Sequence, residues 1–490
     1  MKKHKNERPV AKNIEITGIA DKGKAIGRDA EGRVIFIEDA VPGDIVDVTI
    51  FKSKSAFAEG KVSHFHKYSE DRVEPFCEHF GVCGGCKWQN LSYEAQLQQK
   101  ELVVSNAMKR IGKIQIGELL PIVPCLENTF YRNKVEFTFS NKRWLTKEEV
   151  DQGKSNLEDV LGFHRSGAFD KIVPINKCYL QKDPSNDIRN TLLEIAIQQK
   201  LPFFDLKEGK GFLRHILLRI TMQDEIMLII SFYHEDIVLR KAYLDEVLKR
   251  FPAINSLQYC INSKENDFIL DLDIHTYHGN NFIEEQLGDI RFKIGPKSFF
   301  QTNTQQAVRL FDTVVKFADL KGTENVYDLY TGIGSIALYI ARFCKQVVGI
   351  EEVASAIEDA KENSDLNGFD NTVFYAGDVK NILSTTFAKK HGRPELVITD
   401  PPRAGMHADV IKILLLLESP RIIYVSCNPA TQARDFSLLD EKYEVLKLQP
   451  VDMFPHTHHI ETVALLQLKQ KKGIDDWSSW MDKSFDSEET

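Results

Sequence analysis

A cysteine near the carboxyl end of the chain, Cys427, stands where a thiol could act as a nucleophile. It follows a run of apolar and β-branched residues, 421–425, which predicts a buried strand of a parallel sheet. Pro429 cannot continue a hydrogen-bonded ladder, so the strand must end near Cys427. Open α/β folds place ligands and chemistry at the carboxyl ends of their strands. A small buried thiol is the alternative for any single cysteine, but the residues upstream favour a chemical role.

A glycine-containing segment upstream predicts a site for an adenosine-containing ligand. The segment 328–334, DLYTGIG, follows a predicted strand, and Gly332 and Gly334 let the backbone approach a ligand where the next helix presents its N-terminus. The second strand ends in Glu351, 17 residues after Gly334, where a carboxylate could bind both ribose hydroxyls.

Two more acids follow the same pattern. The third strand ends in Asp378 and the fourth in Asp400, just before two prolines. No third glycine follows Gly334, so the pattern that favours a dinucleotide pyrophosphate is incomplete. Acids at successive strand ends suit the ribose, the adenine and the sulfonium cation of S-adenosylmethionine better than they suit NAD. The sequence therefore predicts S-adenosylmethionine as the cofactor.

A thiol at a strand end beside a methyl donor suggests methylation of a carbon that is not nucleophilic by itself, such as C5 of uracil. Addition of the Cys427 thiolate to C6 would make the base an enolate, and C5 could then attack the methyl group. A base must afterwards remove the C5 proton so that the thiolate can leave. Glu461, at the head of the next apolar strand, is the predicted base; a charge at a strand edge is the alternative. In the preceding loop we expect His456, His458 and His459 to act in positioning or phosphate contact rather than in metal binding.

Three cysteines within ten residues predict a metal site. Cys77, Cys83 and Cys86 have the spacing C-x5-C-x2-C, and two glycines between the last two allow a tight turn around one centre. A fourth ligand must be distant, and Cys178 is the best candidate because it ends another strand-like segment. Four thiolates suit an iron–sulfur cluster or zinc, and zinc could instead use His79.

The elements that must position these groups form an α/β fold in the C-terminal part of the chain. Apolar residues at helical spacing predict a helix over 304–320, and strands and helices alternate from there. Such alternation is typical of a doubly wound sheet, which we expect over residues 301–469 as the catalytic domain. Residues 470–490 are an acidic tail that we expect to be disordered.

The rest of the chain predicts a basic tail and two more domains. Residues 1–12 carry a net charge of +4. Residues 13–68 contain several short strands punctuated by glycines, which is typical of a small five-stranded barrel of the OB type; such barrels often bind nucleic acid, and a purely structural barrel is the alternative. Residues 69–300 mix helices and strands and predict an α+β domain that carries the cysteines. Within it, Arg132 and Lys134 are expected to face outward, towards RNA or simply towards solvent.

The composition is that of a soluble globular protein. The chain has 490 residues, 42% hydrophobic and 27% charged, which predicts roughly three domains. It contains no apolar run of about 18 residues and no secretory signal, so we expect no membrane association and a cytoplasmic location. The net charge of −8 averages a basic front and an acidic tail, and it decides little about nucleic-acid binding. A monomer is the default expectation.

Together these motifs resemble a known family, the RNA uracil-C5 methyltransferases, in particular the iron–sulfur branch that acts on 23S ribosomal RNA. The barrel resembles a TRAM domain, a small RNA-binding barrel of RNA-modifying enzymes. The resemblance covers residues 13 to about 469 through the motifs KSFFQTN, DLYTGIGSIAL, GIE, DPPRAG, VSCNPAT and FPHTHHIETVALL.

The resemblance implies a role for each matching position. Cys427 would be the nucleophile and Glu461 the base. The residues that would bind the methyl donor are Gln301, Tyr330, Glu351 and Asp400, with Asp378 as a secondary contact and Gly332 and Gly334 in the loop. The ligands of a [4Fe–4S] cluster would be Cys77, Cys83, Cys86 and Cys178.

Four alternatives stay open at this point. Transfer RNA could replace ribosomal RNA as the substrate. An amino-group methyltransferase often carries an aromatic residue where Arg403 follows the two prolines, and it would leave Cys427 without a role. Many cytosine-C5 enzymes carry a cysteine after the same prolines, which DPPRAG lacks. A protein of another class, an iron–sulfur RNA-binding or redox protein without catalysis, would not bind S-adenosylmethionine.

Overall fold

The computed structural model describes residues 8–20, 23–165 and 167–469. The predicted acidic tail, 470–490, and most of the predicted basic tail lie outside the described residues. Within the described ranges, no helix has both the length and the apolar character needed to cross a membrane.

The N-terminal part is a closed five-stranded barrel, as predicted. Its strands are arranged in the order β1-β2-β3-β5-β4. Alternate apolar residues point inward, among them Ile14, Ile16, Val46 and Val48, because successive side chains of a strand face opposite sides. The strands are β1 (Val10–Ile19), β2 (Ala25–Arg28), β3 (Val34–Glu38), β4 (Ile45–Ser53) and β5 (Phe57–Lys67).

The central part contains a seven-stranded sheet in the order β13-β12-β11-β10-β7-β8-β9, flanked by helices. Both strands of the hairpin of β10 and β11 are fully buried, which explains the nearly continuous apolar sequence of β11, whereas β10 also buries Arg214, His215 and Arg219. The elements up to this hairpin are α1 (Tyr93–Ala107), a π-helical turn (Met108–Gly112), β6 (Ile116–Leu119), β7 (Lys134–Lys142), α2 (Lys147–Asp151), β8 (Leu157–Arg165), β9 (Ala168–Pro174), α3 (Ser185–Gln198), β10 (Leu213–Ile220) and β11 (Ile226–Phe232). After it come α4 (Ile237–Arg250), β12 (Ser256–Ile261), β13 (Ile274–Gly279) and a separate hairpin of β14 (Ile283–Leu287) and β15 (Ile290–Ile294).

The C-terminal part is the predicted doubly wound sheet. Strands β16 to β20 are parallel, and β22 runs antiparallel between β20 and β21. Its elements are α5 (Thr304–Ala318), β16 (Asn325–Leu329), α6 (Ser335–Ala341), β17 (Gln346–Glu351), α7 (Ala354–Leu366), β18 (Thr372–Ala376), α8 (Val379–Ile382), α9 (Thr385–His391), β19 (Leu396–Thr399), α10 (Ala408–Leu417), β20 (Arg421–Ser426), α11 (Pro429–Leu439), β21 (Tyr443–Val451) and β22 (Glu461–Leu468).

Each face of this sheet has its own apolar core. Alternation along β16 sends Val326 to the face covered by α5 and α6, where it packs in one cluster with Leu310 and Ala337. Tyr327 points to the opposite face, covered by α10 and α11. Burial on both faces explains why the strands lack polar alternation.

One strand of the C-terminal sheet comes from the predicted central domain. β6 pairs in parallel with β21, so the eight strands follow the order β18-β17-β16-β19-β20-β22-β21-β6. An edge strand exposes unpaired backbone groups, and β6 covers those of β21. The division at residue 300 therefore does not separate the sheets, although the limits of the domains themselves stay predictions.

Candidate active site

Cys427 lies between the end of β20 and the first turn of α11. Asn428 caps this helix, because its side-chain oxygen accepts the N–H of Ala430 at 3.1 Å, and Pro429 occupies the first turn. Ser426 pairs with Thr462 of the antiparallel strand β22, so the next residues outward, Cys427 and Glu461, are neighbours at this end of the sheet.

The charged groups around this pair change its acidity. Burial, followed by the carboxyls of Glu461 and Asp400, raises the pKa of Cys427 to about 11, and Arg403 opposes the rise. Burial and Asp400 also raise the pKa of Glu461 well above its usual value, again against Arg403. A carboxylate with a raised pKa is a stronger base once ionised, which suits a residue that must remove a proton from carbon.

Arg403 joins the two sides of the site, although the sequence identified it only as a departure from another enzyme class. Its guanidinium lies 3.2 Å from Nδ1 of His459. Its backbone oxygen accepts hydrogen bonds from the side chains of Asn428, at 3.0 Å, and Thr431, at 3.2 Å. The loop after β19 is thus fixed against the residues that follow Cys427. In the sequence, the signal for this role was the positive charge of Arg403 directly after the two prolines.

The loop between β16 and α6 has the shape expected of a ligand-binding turn. Tyr330, Gly332 and Gly334 all have positive φ angles, of 64°, 57° and 83°. A Cβ atom added at Gly332 would meet nothing within 4 Å, so the space in front of it is open. The carboxylate of Glu351 accepts the N–H of Gly332 at 3.1 Å and that of Val353 at 2.9 Å, which fixes the acid at the end of β17 against this loop.

Asp328, a buried acid near the end of β16, was not predicted from the sequence to be a site residue. One carboxyl oxygen accepts the Thr331 hydroxyl at 2.6 Å, and the backbone N–H of Ala337 in the first turn of α6 also stabilises the carboxylate. Burial raises the pKa of Asp328 to about 7, and burial with Asp328 does the same for Asp400. In the sequence, the signal for Asp328 was a single acid within the otherwise uncharged strand β16.

The two remaining residues predicted to bind the methyl donor lie after β18 and before α5. Asp378 follows β18 and caps α8, and its carboxylate pairs with Lys380 at 3.0 Å. Its charge acts on Tyr330, since burial and then Asp378 raise the tyrosine pKa to about 12. Gln301 precedes α5, and its backbone oxygen accepts a hydrogen bond from Asn133 at 2.9 Å. The role of its side chain stays a prediction.

The four predicted cluster cysteines line one cavity of about 220 Å³. Burial raises the pKa of every one of them, for Cys83 to about 11 and for Cys86 to about 12. Among the described residues, no three His, Cys, Asp or Glu side chains are grouped closely enough to hold a metal ion as they stand. Burial makes thiolates costly unless a cation accompanies them.

Both the iron–sulfur cluster and the zinc ion stay predictions for this cavity. Zinc requires all its sulfurs about 2.3 Å from one centre, whereas each thiolate of a cluster binds a different iron. His79, the alternative zinc ligand, has its Nε2 engaged, because this atom accepts the N–H of Asn176 at 3.1 Å.

The loop 452–460, between β21 and β22, links the cysteine cavity with Glu461. Thr457 lines the cavity, and the backbone oxygen of His456 accepts the N–H groups of Lys87 and Trp88, directly after Cys86. Burial lowers the pKa of His456 to about 4 and that of His459 to about 3. Both rings are neutral at pH 7, so positioning suits them better than phosphate binding.

Comparisons with known proteins give two family matches. The model of the tRNA (Uracil-5-)-methyltransferase family matches residues 221–469, and that of the TRAM domain matches residues 11–63. The second match confirms the predicted TRAM barrel.

Relatives match nearly the whole chain. A protein of Bacteroides thetaiotaomicron, described as an uncharacterized RNA methyltransferase, is 50% identical over 456 residues, which are 92% of this chain and 100% of the relative. A protein of Porphyromonas gingivalis with the same description is 48% identical over 461 residues, 92% and 99% of the two chains. Among solved structures, the Pyrococcus abyssi tRNA (uracil-54, C5)-methyltransferase in complex with S-adenosyl-L-homocysteine matches with a TM-score of 0.71 at 29% identity, covering 92% of this chain and 99% of its own.

Proposed function

The chain belongs to the tRNA (uracil-5-)-methyltransferase family of S-adenosylmethionine-dependent RNA methyltransferases, and we propose that it methylates C5 of a uridine in 23S ribosomal RNA with Cys427 as nucleophile and Glu461 as base. The observation that carries the mechanism is the adjacency of Cys427 and Glu461 at the end of the β20–β22 pair. Membership of this family argues against the amino-group and cytosine-C5 alternatives and against a protein without catalysis.

The proposed chemistry divides between the two residues. S-adenosylmethionine, when bound, supplies an electrophilic methyl group. The Cys427 thiolate bonds to C6 of uracil, which makes C5 nucleophilic enough to take that methyl group. Glu461 then removes the C5 proton, the C6–S bond breaks, and the thiolate is regenerated. Each turnover thus releases one proton, which Glu461 carries from C5 to solvent.

The donor side of the site is formed by the loop after β16 and by the acids at the strand ends. Glu351, already fixed by two backbone N–H groups, would bind the ribose. Asp328 and Asp400 present buried carboxyls on this side of the site, and the pKa of each is about 7. We assign Tyr330, Asp378 and Gln301 to the same donor.

An RNA substrate is supported by a groove between the barrel and the helix α1. The groove has a volume of about 630 Å³ and ends at residues 428–430, beside Cys427. Phe36 and Phe57 line it from the barrel, and Arg110 lines it from the opposite side. Aromatic faces beside cations are the usual means of holding single-stranded nucleic acid. We propose that the strand carrying the target uridine follows this groove.

Transfer RNA is the second candidate substrate, because the similar Pyrococcus abyssi structure is described as a tRNA methyltransferase. The preference for 23S RNA rests on the resemblance to the iron–sulfur branch. That branch would place a [4Fe–4S] cluster on Cys77, Cys83, Cys86 and Cys178, supported by their shared cavity. We further propose a cytoplasmic location, because the cysteines are free and free thiols persist in reducing compartments. For the oligomeric state we propose a monomer.

The decisive experiment maps 5-methyluridine by mass spectrometry in ribosomal and transfer RNA from cells with and without the gene. Loss of the modification from 23S RNA alone is the expected result, and it identifies the nucleotide. Loss from transfer RNA keeps the mechanism but overturns the substrate. No loss in either RNA overturns the proposed function.

A further inference from the structure

We infer that three side chains on one face of α1, those of Tyr93, Gln96 and Lys100, position the loop that presents Glu461 and thereby control the removal of the C5 proton. The inference rests on the proposed function, because it assigns these residues to the step of the base. They are positioning residues, since they act through the loop and lie outside the reacting pair.

The first contact is a buried ion pair at the start of the loop. Nζ of Lys100 lies 2.5 Å from Oδ1 of Asp452, and neither side chain has any exposed surface. The same ammonium donates to the backbone oxygen of Phe454 at 3.1 Å. The Tyr93 hydroxyl donates to the other carboxylate oxygen at 2.8 Å and accepts the N–H of Cys125 at 2.7 Å. Both oxygens of Asp452 are thus held by α1.

The second contact fixes the middle of the loop. Oε1 of Gln96 accepts the N–H of His456 at 2.9 Å, and Nε2 lies 3.2 Å from Nδ1 of the same histidine. His456 has a φ of 63°, a backbone conformation that residues other than glycine rarely adopt. Such a conformation persists only where the surroundings hold it. Gln96 and the N–H groups of Lys87 and Trp88 provide that support.

The helix α1 contacts the elements next to both the proposed nucleophile and the proposed base. Residues 93, 96 and 100 have the spacing i, i+3, i+7 and therefore share one face of the helix. Other residues of α1 pack against α11, the helix that begins two residues after Cys427. One helix therefore contacts both the element behind the nucleophile and the loop before Glu461.

This arrangement predicts which chemical step each contact affects. Loosening the loop would shift Glu461 but leave the donor-binding loop and Cys427 in place. Methyl transfer would continue, and resolution of the covalent adduct would slow, because a misplacement of about 1 Å costs up to 100-fold in rate. A general loss of folding would instead reduce donor binding and adduct formation together.

The test compares Gln96→Ala with Gln98→Ala, which makes the same change at an exposed position of the same helix. Tyr93→Phe removes one hydroxyl and is the milder second variant, so that a folding defect in Gln96→Ala leaves the inference testable. The full-length proteins react with S-adenosylmethionine and RNA from a strain lacking the gene. Affinity for S-adenosylmethionine, the denaturation-resistant protein–RNA adduct and the released 5-methyluridine are measured separately.

For Gln96→Ala we expect release of product to fall about tenfold or more while the adduct accumulates and donor affinity stays within about twofold. Tyr93→Phe should show the same pattern more weakly, and Gln98→Ala should match the unchanged protein. Normal turnover in both test variants, or a parallel loss of donor binding and adduct, overturns the inference. Glu461→Gln is run alongside: if it traps adduct and the α1 variants do not, only this inference fails. If Glu461→Gln traps none, the proposed base fails, and the inference fails with it.

Discussion

The thiol of Cys427 and the carboxyl of Glu461 stand at the same end of an antiparallel strand pair, one residue beyond the pairing of Ser426 with Thr462. Backbone hydrogen bonds between the strands therefore bring both groups to one end of the sheet, and the loop 452–460 leads directly into Glu461. Preorganisation of this kind lowers the cost of bringing nucleophile and base to one substrate.

Replacing Cys427 with alanine should abolish turnover, because it removes the thiol that is proposed to add to C6, while donor binding stays unchanged. Titration calorimetry with S-adenosylmethionine and a methylation assay on the same sample measure the two properties. Cys344→Ala, a change in the apolar core, is the control and should keep activity. Methylation by the Cys427 variant would contradict covalent catalysis.

Replacing Glu461 with glutamine should leave methyl transfer possible and block removal of the C5 proton. The methylated RNA then remains attached to Cys427 and migrates with the protein in a denaturing gel. Glu444→Gln changes an exposed glutamate of β21 in the same way and should release product normally. Absence of an adduct would show that another group is the base.

Adduct formation should accelerate as pH rises from 6.5 to 9. Since burial and the neighbouring acids raise the pKa of Cys427 to about 11, the thiolate is a minor species throughout this range. Its fraction grows about tenfold per pH unit below the pKa, so the single-turnover rate should grow by about the same factor. A rate independent of pH would mean that RNA binding itself generates the thiolate.

Replacing Cys83 with serine should remove the proposed cluster, because it deletes one of the four thiols around the cavity. We expect loss of bound iron and of the absorbance around roughly 400 nm that thiolate-ligated iron–sulfur centres show. Cys344→Ser, outside the cavity, should keep both. Metal analysis that finds zinc in the unchanged protein would refute the cluster.

Replacing Phe57 with alanine should weaken RNA binding and leave donor binding intact. Loss of one stacking face costs about 1–3 kcal/mol, or roughly 5- to 150-fold in affinity for RNA. Phe268→Ala removes an exposed ring from the central part of the chain and serves as control. Filter binding with RNA that lacks the modification measures both, and equal affinities would exclude the groove as the RNA path.

The placement of most candidate site residues could be predicted from the sequence because the signals are local, while their roles stay predictions. The nucleophile, the glycine loop and Glu351 each stand at the end of an apolar run, and strand ends of one sheet necessarily meet. The spacing of the three clustered cysteines predicted that they lie together, and they share one cavity with Cys178, while the metal itself stays a prediction.

The contacts made by α1 and β6 were not predictable in this way. Lys100 and Asp452 are 352 residues apart, and nothing in either neighbourhood indicates the other. The four residues of β6 carry too weak a pattern to identify their sheet. Only the three-dimensional packing joins them to the catalytic part.

The pairing of β6 with β21 also constrains the order in which the chain can fold. A segment near residue 116 leaves the ribosome early and must wait for a strand around residue 445 before its backbone groups are paired. Such long-range contacts slow folding, because the intervening loop must be closed first. The methyltransferase sheet is therefore complete only when both segments are available for pairing, which couples the folding of the central part of the chain to that of the catalytic part.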